Sequence, residues 1–329
     1  MYNLLIIIIT FIFSTIIILK YKNFLSKELN LIDHPNYRKK HKIPTSLIGG
    51  FLGFVLLIEY FIISFLLKIP IKIEYFIIPS LICIVGFVDD VKDLKPYLKL
   101  FLLGAIFSVA MFLFPEFIIK EMRFNNLNLS ITTGFLGILF TVLCLLLLIN
   151  ALNMIDGMNG LYLGSNIFFF LYLFYFFKIS NFFLISFLII LFILFFCNIK
   201  GFFFIGDSGV YLISTVLGLL IIEKYNYNLG YKNFISVEEI FILLMLPGMD
   251  MFRLFIIRIK NKKNPFKGDR KHFHHLLNNK FKENHSLIIY FLLMSLGPIV
   301  YNLGILSDYL IILSFIIIFY CFVFYLKEN

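Results

Sequence analysis

The stretch TGFLGILFTVLCLLLLIN, residues 133–150, followed by ALNMIDGMNG at 151–160, decides the fold. Eighteen residues pass without a charge, which is close to what a helix needs to cross about 30 Å of hydrocarbon. The run then ends abruptly in Asn, Asp and Gly. Outward from this segment the pattern repeats: long uncharged runs alternate with compact polar clusters. Of the 329 residues, 61% are hydrophobic and 15% charged, with 44 Phe and no Trp. A soluble domain carries about 25% charged residues, so a water-soluble enzyme is excluded. Disorder needs low hydrophobicity, and outer-membrane strands alternate apolar and polar residues; neither fits. The expectation is an all-α, polytopic transmembrane helical bundle.

Eleven spans are expected, near 2–19, 46–67, 73–88, 98–115, 133–150, 161–177, 182–199, 209–222, 238–256, 287–304 and 309–325. The first run has no basic residue before it and no cleavage site after it, so it reads as an uncleaved span with its N-terminus outside. Loops then assigned to the cytoplasm hold 22 Lys and Arg against 7 on the other side, as the positive-inside rule requires. That bias gives the net charge of +10 a membrane reading, with no nucleic-acid partner. The chain reads as one domain, 1–329. Cys83, Cys144, Cys197 and Cys321 lie in apolar runs and read as small buried hydrophobes. Glu59, inside the second span, reads as facing the bundle. Glu223, Glu238 and Glu239 read as ordinary external flank charges.

Chemistry-bearing residues gather at the cytoplasmic ends of the spans. Asp89, Asp90 and Asp93 would crowd one helix face, as a metal or general-base cluster or as a solvated acidic helix end. Asn150, Asn153, Asp156, Gly157 and Asn159 suit hydrogen bonding to a sugar or base beside a metal; a capping turn is the plain alternative, although Asn150 ends an apolar run. Gly206-Asp207-Ser208-Gly209 is a metal- or phosphate-binding turn or, taken alone, an N-cap. Asp250 and Arg253 lead into a basic loop ending Asp269-Arg270-Lys271-His272-Phe273-His274-His275. Anionic lipid would explain its Lys residues but not its His residues, which fit phosphate better than zinc. The 20–45 loop, with Asp33, His34, Pro35, Arg38, His41 and then Gly49-Gly50, hints at a further substrate-facing segment.

Taken together and in this order, the five segments from Asp33 to His275 resemble the polyprenyl-phosphate N-acetylhexosamine-1-phosphate transferases, a family related to phospho-N-acetylmuramoyl-pentapeptide transferase. The resemblance implies that a polyprenyl phosphate attacks a UDP-N-acetylhexosamine at the inner membrane of a bacterium. UMP leaves and a lipid-linked sugar pyrophosphate remains, the first step of a cell-surface glycan. It implies Mg2+, with Mn2+ as a substitute, and allows a homodimer. By carry-over, Asp207, Asp156 and Asn150 are metal ligands, and Asp89 or Asp90 deprotonates or orients the lipid phosphate. Asn150, Asn153, Asp156 and Asn159 line the nucleotide, with Asp250 and Arg253 also on the substrate side. His272, His274, His275 and Arg270 hold phosphate or sugar, and Lys99 meets a phosphate. Departures are Asn159 where the family often has Asp, and Val210 where it often has Ser. The His spacing differs from the three adjacent His of the peptidoglycan branch, which argues against a peptide-bearing donor. A transporter would place polar residues at mid-span on several helices, and a noncatalytic scaffold gives no reason for the polar residues to converge.

Overall fold

The computed structural model describes residues 2–33, 44–227, 235–264 and 270–327. Among them, α1 (Tyr2–Lys20) and the short α2 (Lys22–Glu28) precede a two-stranded antiparallel pair, β1 (Ile32–Asp33) and β2 (Thr45–Ser46). Next come α3 (Gly49–Leu66), α4 (Glu74–Lys92) and α5 (Pro96–Leu113), then a hairpin of β3 (Glu121–Phe124) and β4 (Leu129–Thr132). The chain continues through α6 (Gly137–Asn153), α7 (Leu161–Tyr175), α8 (Phe182–Ile199) and α9 (Gly206–Tyr227). It ends with α10 (Val237–Leu243), α11 (Met245–Lys260), α12 (Phe273–Lys280), α13 (Glu283–Asn302) and α14 (Asp308–Lys327).

The all-α bundle is as expected. Among the described residues eight helices are long and apolar enough to cross a membrane, or nine with one bent pair counted as a single span. Helices also stand at the other two expected places. α7 has only 15 residues, and α4 ends in the charged Asp89, Asp90 and Lys92. Side chains such as Phe65, Phe101, Phe112 and Phe324 point outward from their helices. A water-facing protein would not present so many large apolar groups, whereas acyl chains solvate them.

The expected span 238–256 is broken: α10 and α11 meet at Leu244 with a 77° bend. Pro247 explains it. A proline has no N–H to give the carbonyl four residues back, that of Leu243, and the ladder resumes with Gly248 N–H donating to Leu244 O at 3.1 Å. Glu238 and Glu239 are not flank charges either. Both are buried: Glu238 accepts from Asn125 N–H of the hairpin, and Glu239 from the Tyr172 hydroxyl at 3.0 Å. Glu223 takes hydrogen bonds from Lys72 and Tyr75. Cys321 is exposed and Cys144 half-buried, so only Cys83 and Cys197 are the buried thiols expected. Glu59 does face the bundle, accepting from Ser14 of α1.

α9 is the axis of the bundle. Every residue over 208–222 is buried, against α3, α4, α6 and α7. Its Gly209, Ser214, Thr215 and Gly218 are small enough for helices to approach closely, the device by which membrane helices associate. Its N-terminus is therefore fixed at the end of the bundle where the polar segments lie.

Candidate active site

The polar end is built around the start of α9. α4 reaches it because Gly86 has no side chain: a Cβ there would overlap the backbone of Ser208. One turn further on, Asp90 meets the unsatisfied amides at the α9 N-terminus. Its Oδ1 accepts from Asp207 N–H at 2.7 Å, and its Oδ2 from Ser208 N–H at 3.1 Å and the Ser208 hydroxyl at 2.6 Å. The Gly206-Asp207-Ser208-Gly209 turn is thus capped by a carboxylate from another helix, not by Asp207 or Ser208. Gly206 takes the left-handed φ of +71° that delivers the chain into α9. With its own cap supplied, the Asp207 side chain is left to point elsewhere.

It points into a charged group. Asn153 Nδ2 of α6 donates to Asp207 Oδ1 at 2.6 Å, and Lys99 Nζ of α5 lies 3.6 Å from Asp207 Oδ2. The same ammonium lies 2.5 Å from Asp89 Oδ2. Asp89 is buried and also accepts from Leu94 N–H at 2.9 Å and the Tyr211 hydroxyl at 3.2 Å. The acidic pair is therefore split in role: Asp90 holds α9, and Asp89 holds Lys99. Asp93 is not on their face. α4 stops at Lys92, and Asp93 adopts φ of +48° and is exposed.

The turn after α6 supplies the next side. Asp156 is half-buried, and its carboxylate has no hydrogen-bond or ion-pair partner among the described residues. Asn159 is also half-buried. At Gly157 a Cβ would overlap His274 Nε2, so the imidazole packs directly on this backbone. Asn150 does not reach Asp207; its amide donates to Leu146 O of its own helix at 2.7 Å.

His274 is carried by a buried ion pair. Asp250 Oδ1 accepts from Arg253 Nη2 at 2.6 Å, and Asp250 Oδ2 accepts from Phe273 N–H and lies 3.1 Å from His272 Nδ1. Arg253 also donates to Lys271 O at 2.6 Å. His272 and His274 stack 5.8 Å apart, with the His275 ring 4.1 Å from that of His274. Asp250 and Arg253 thus anchor the His segment from α11. Arg270 is exposed. His34, Pro35, Arg38, His41 and Asp269 lie outside the described residues.

Three carboxyl groups here lie beyond the expected spans, and all are shifted upward. Burial, and then the charges of Asp207 and Asp90, push Asp156 up to about 7. Burial and Asp207 push Asp90 up to about 6. Burial and Asp207 likewise raise Asp89, with Lys99 pulling the other way. Such crowding of like charges is what a cation relieves. Among the described residues no three His, Cys, Asp or Glu side chains are grouped to cage a metal on their own. Magnesium does not need that, because it takes one or two carboxylates plus substrate phosphates and water. The uncommitted Asp156 carboxylate and the part-exposed Asp207 fit it.

An apolar cavity of about 410 Å³ lies between α6, α9, α10 and α11, and its walls run along α6 as far as Leu152, the residue before Asn153. Cys144, Leu148, Ile221, Phe241 and Phe252 are among its walls; Arg253 stands at the polar end and Tyr225 at the other. The bend at Leu244 shapes it, a feature invisible to a search for uninterrupted spans. Tyr211 and Asn198 were also missed by the sequence reading. Asn198 offered one signal, as a lone amide near the end of an otherwise apolar run.

A model for glycosyl transferase family 4 matches residues 73–224, which hold Asp89, Asp90, Lys99, Asn153, Asp156 and Asp207. Among curated proteins, the chain is 24% identical over 285 residues to the undecaprenyl-phosphate alpha-N-acetylglucosaminyl 1-phosphate transferase of Escherichia coli K12, covering 81% of this chain and 74% of that one. It is 28% identical to the protein of that name from Salmonella typhi over 278 residues, 81% and 74% of the two chains. With the Thermotoga maritima protein of that name it shares 25% over 278 residues, 80% and 78%. These similarities bear out the resemblance read from the motifs.

Proposed function

We propose that this chain, a multi-pass membrane relative of the undecaprenyl-phosphate N-acetylglucosaminyl-1-phosphate transferases, transfers a sugar-1-phosphate from a UDP-N-acetylhexosamine to a polyprenyl phosphate. One observation carries the reading: Asp89, Lys99, Asn153, Asp156 and Asp207 form a charged, part-buried group, and Leu152, the residue before Asn153 on α6, lines an apolar cavity. That pairing suits a substrate with a phosphate head and a hydrocarbon tail. The excess of Lys and Arg beside the polar end supports a site on the cytoplasmic side of the inner membrane, where nucleotide sugars are found.

The reaction follows from the donor. An oxygen of the lipid phosphate forms a bond to the sugar-bearing phosphorus of the UDP-sugar. The bond from that phosphorus to the bridging oxygen breaks, and UMP leaves with that oxygen. Positioning and charge stabilisation dominate such transfers. Lys99 offsets negative charge on the phosphates while Asp89 fixes its ammonium. Asn153 orients Asp207. Asp156 faces the nucleotide-sugar side with Asn159, and His274, held on Gly157 by the Asp250–Arg253 pair, donates to a phosphate or sugar oxygen. Magnesium, held by Asp207 and Asp156, would neutralise charge on the diphosphate. The lipid tail lies in the cavity, with Arg253 near its head.

The test is purified protein in detergent with polyprenyl phosphate and Mg2+, offered UDP-GlcNAc, its deoxy relatives and UDP-MurNAc-pentapeptide separately. UMP and lipid-linked sugar from a simple UDP-amino sugar support the reading. Product from the pentapeptide donor alone would move the chain to the peptidoglycan branch, and no product from any donor would overturn it.

A further inference from the structure

Two loops must hold their spacing for the site above to work, and one side chain joins them. The turn 154–160 presents Asp156 and Asn159, while the segment 203–207 presents Asp207. Between them stands Asn198, in the last turn of α8 and 5% exposed. Its Oδ1 accepts from Gly160 N–H at 2.6 Å, and its Nδ2 donates to Phe203 O at 3.0 Å. Both ends of the amide are used, one on each loop. Its neighbours reinforce the link. Gly160 takes φ of +80°, and a Cβ there would lie 2.8 Å from Ile199 Cγ1. Phe204, beside the Phe203 carbonyl, is tied in turn to Ser46 O and Gly49 N. Neither hydrogen bond belongs to regular secondary structure, so neither is needed to form α7, α8 or α9.

We propose that Asn198 is a positioning residue that sets the distance between the Asp156–Asn159 turn and Asp207, and through it the affinity for nucleotide-sugar and divalent cation. The inference rests on the function proposed above. Asn is suited to the task because it is at once donor and acceptor. Leu removes both bonds. Asp keeps the acceptor for Gly160 N–H but sets an oxygen against the Phe203 carbonyl. The lipid cavity is built from α6, α9, α10 and α11, none of which Asn198 bonds.

The experiment compares full-length wild type, Asn198→Leu and Asn198→Asp in detergent. Outer-shell changes at metal sites typically cost about 10–100-fold. Asn198→Leu should therefore raise KM for UDP-GlcNAc and the half-saturating Mg2+ by roughly tenfold or more, with KM for polyprenyl phosphate unchanged. Hydrogen exchange should show the Gly160 amide released in Asn198→Leu and still protected in Asn198→Asp, while the α9 amides keep wild-type protection in both. A Gly160 amide that stays protected in Asn198→Leu overturns the proposal. So does a parallel rise in all three constants with α9 deprotected, which marks general loosening. The exchange measurement does not depend on turnover. A wild type that releases no UMP would thus count against the function, while the state of the Gly160 amide still decides the clamp.

Discussion

At the residue scale, the site is held together by contacts that leave no room for extra atoms. Gly157 is the clearest case. Gly157→Ala would push His274 off the turn, so the account expects it to lower kcat/KM about as far as His274→Ala. The double variant should be little worse than either, since residues in contact do not add. Steady-state kinetics of the three proteins check this; additive losses would separate the two residues. The carboxyls give a second prediction. Asp156 and Asp90 have folded-state values raised from 3.8 to about 7 and about 6. The folded chain therefore keeps protons that the unfolded chain gives up, and metal-free stability falls as pH rises from about 4 to about 7. Divalent cation binds the deprotonated form. Mg2+ or Mn2+ should therefore raise Tm more at pH 8 than at pH 5.5, as a melting series with and without EDTA would show.

At the scale of elements, α4 and α9 form the frame. Their approach at Gly86 is backbone against backbone, whereas at Gly53 a Cβ would lie 3.3 Å from the flexible end of Leu194. Gly86→Ala should thus displace Asp90 from the α9 N-terminus and cost both Tm and activity, while Gly53→Ala should be mild. Thermal melts in detergent distinguish them, and equal effects would contradict the packing described. Much of this frame was legible from sequence. Runs without charge fix helices in a membrane protein, because no other structure satisfies the backbone there. The motifs pointed to Asp207 and Asn153, and the family resemblance to Lys99. What stayed hidden depends on three-dimensional approach. That Asp90 caps α9 while Asp89 pairs with Lys99 requires knowing that α4 crosses α9. That Glu238 and Glu239 are buried requires the hairpin and α7 to fold against them. The bend at Leu244 is local, but Pro247 sits in so apolar a run that the break was masked.

At the scale of the molecule, the polar end and the apolar cavity share α6 and α9, and Cys144 on the cavity wall offers a probe. With Cys83 and Cys197 buried, the protein carrying Cys321→Ser should react with a maleimide chiefly at Cys144, and polyprenyl phosphate should slow that reaction while UDP-GlcNAc should not. Equal protection by both would place the lipid elsewhere. The central claim is that the polar end is one catalytic site with Asp207 at its heart. The most direct measurement is UMP release from UDP-GlcNAc by wild type and Asp207→Asn, with polyprenyl phosphate and Mg2+, at matched folding. The account predicts turnover by the wild type that EDTA abolishes, and a loss on the order of 10² or more in Asp207→Asn, the scale on which removing a key charge-stabilising group acts. An Asp207→Asn protein that releases UMP at the wild-type rate would contradict it.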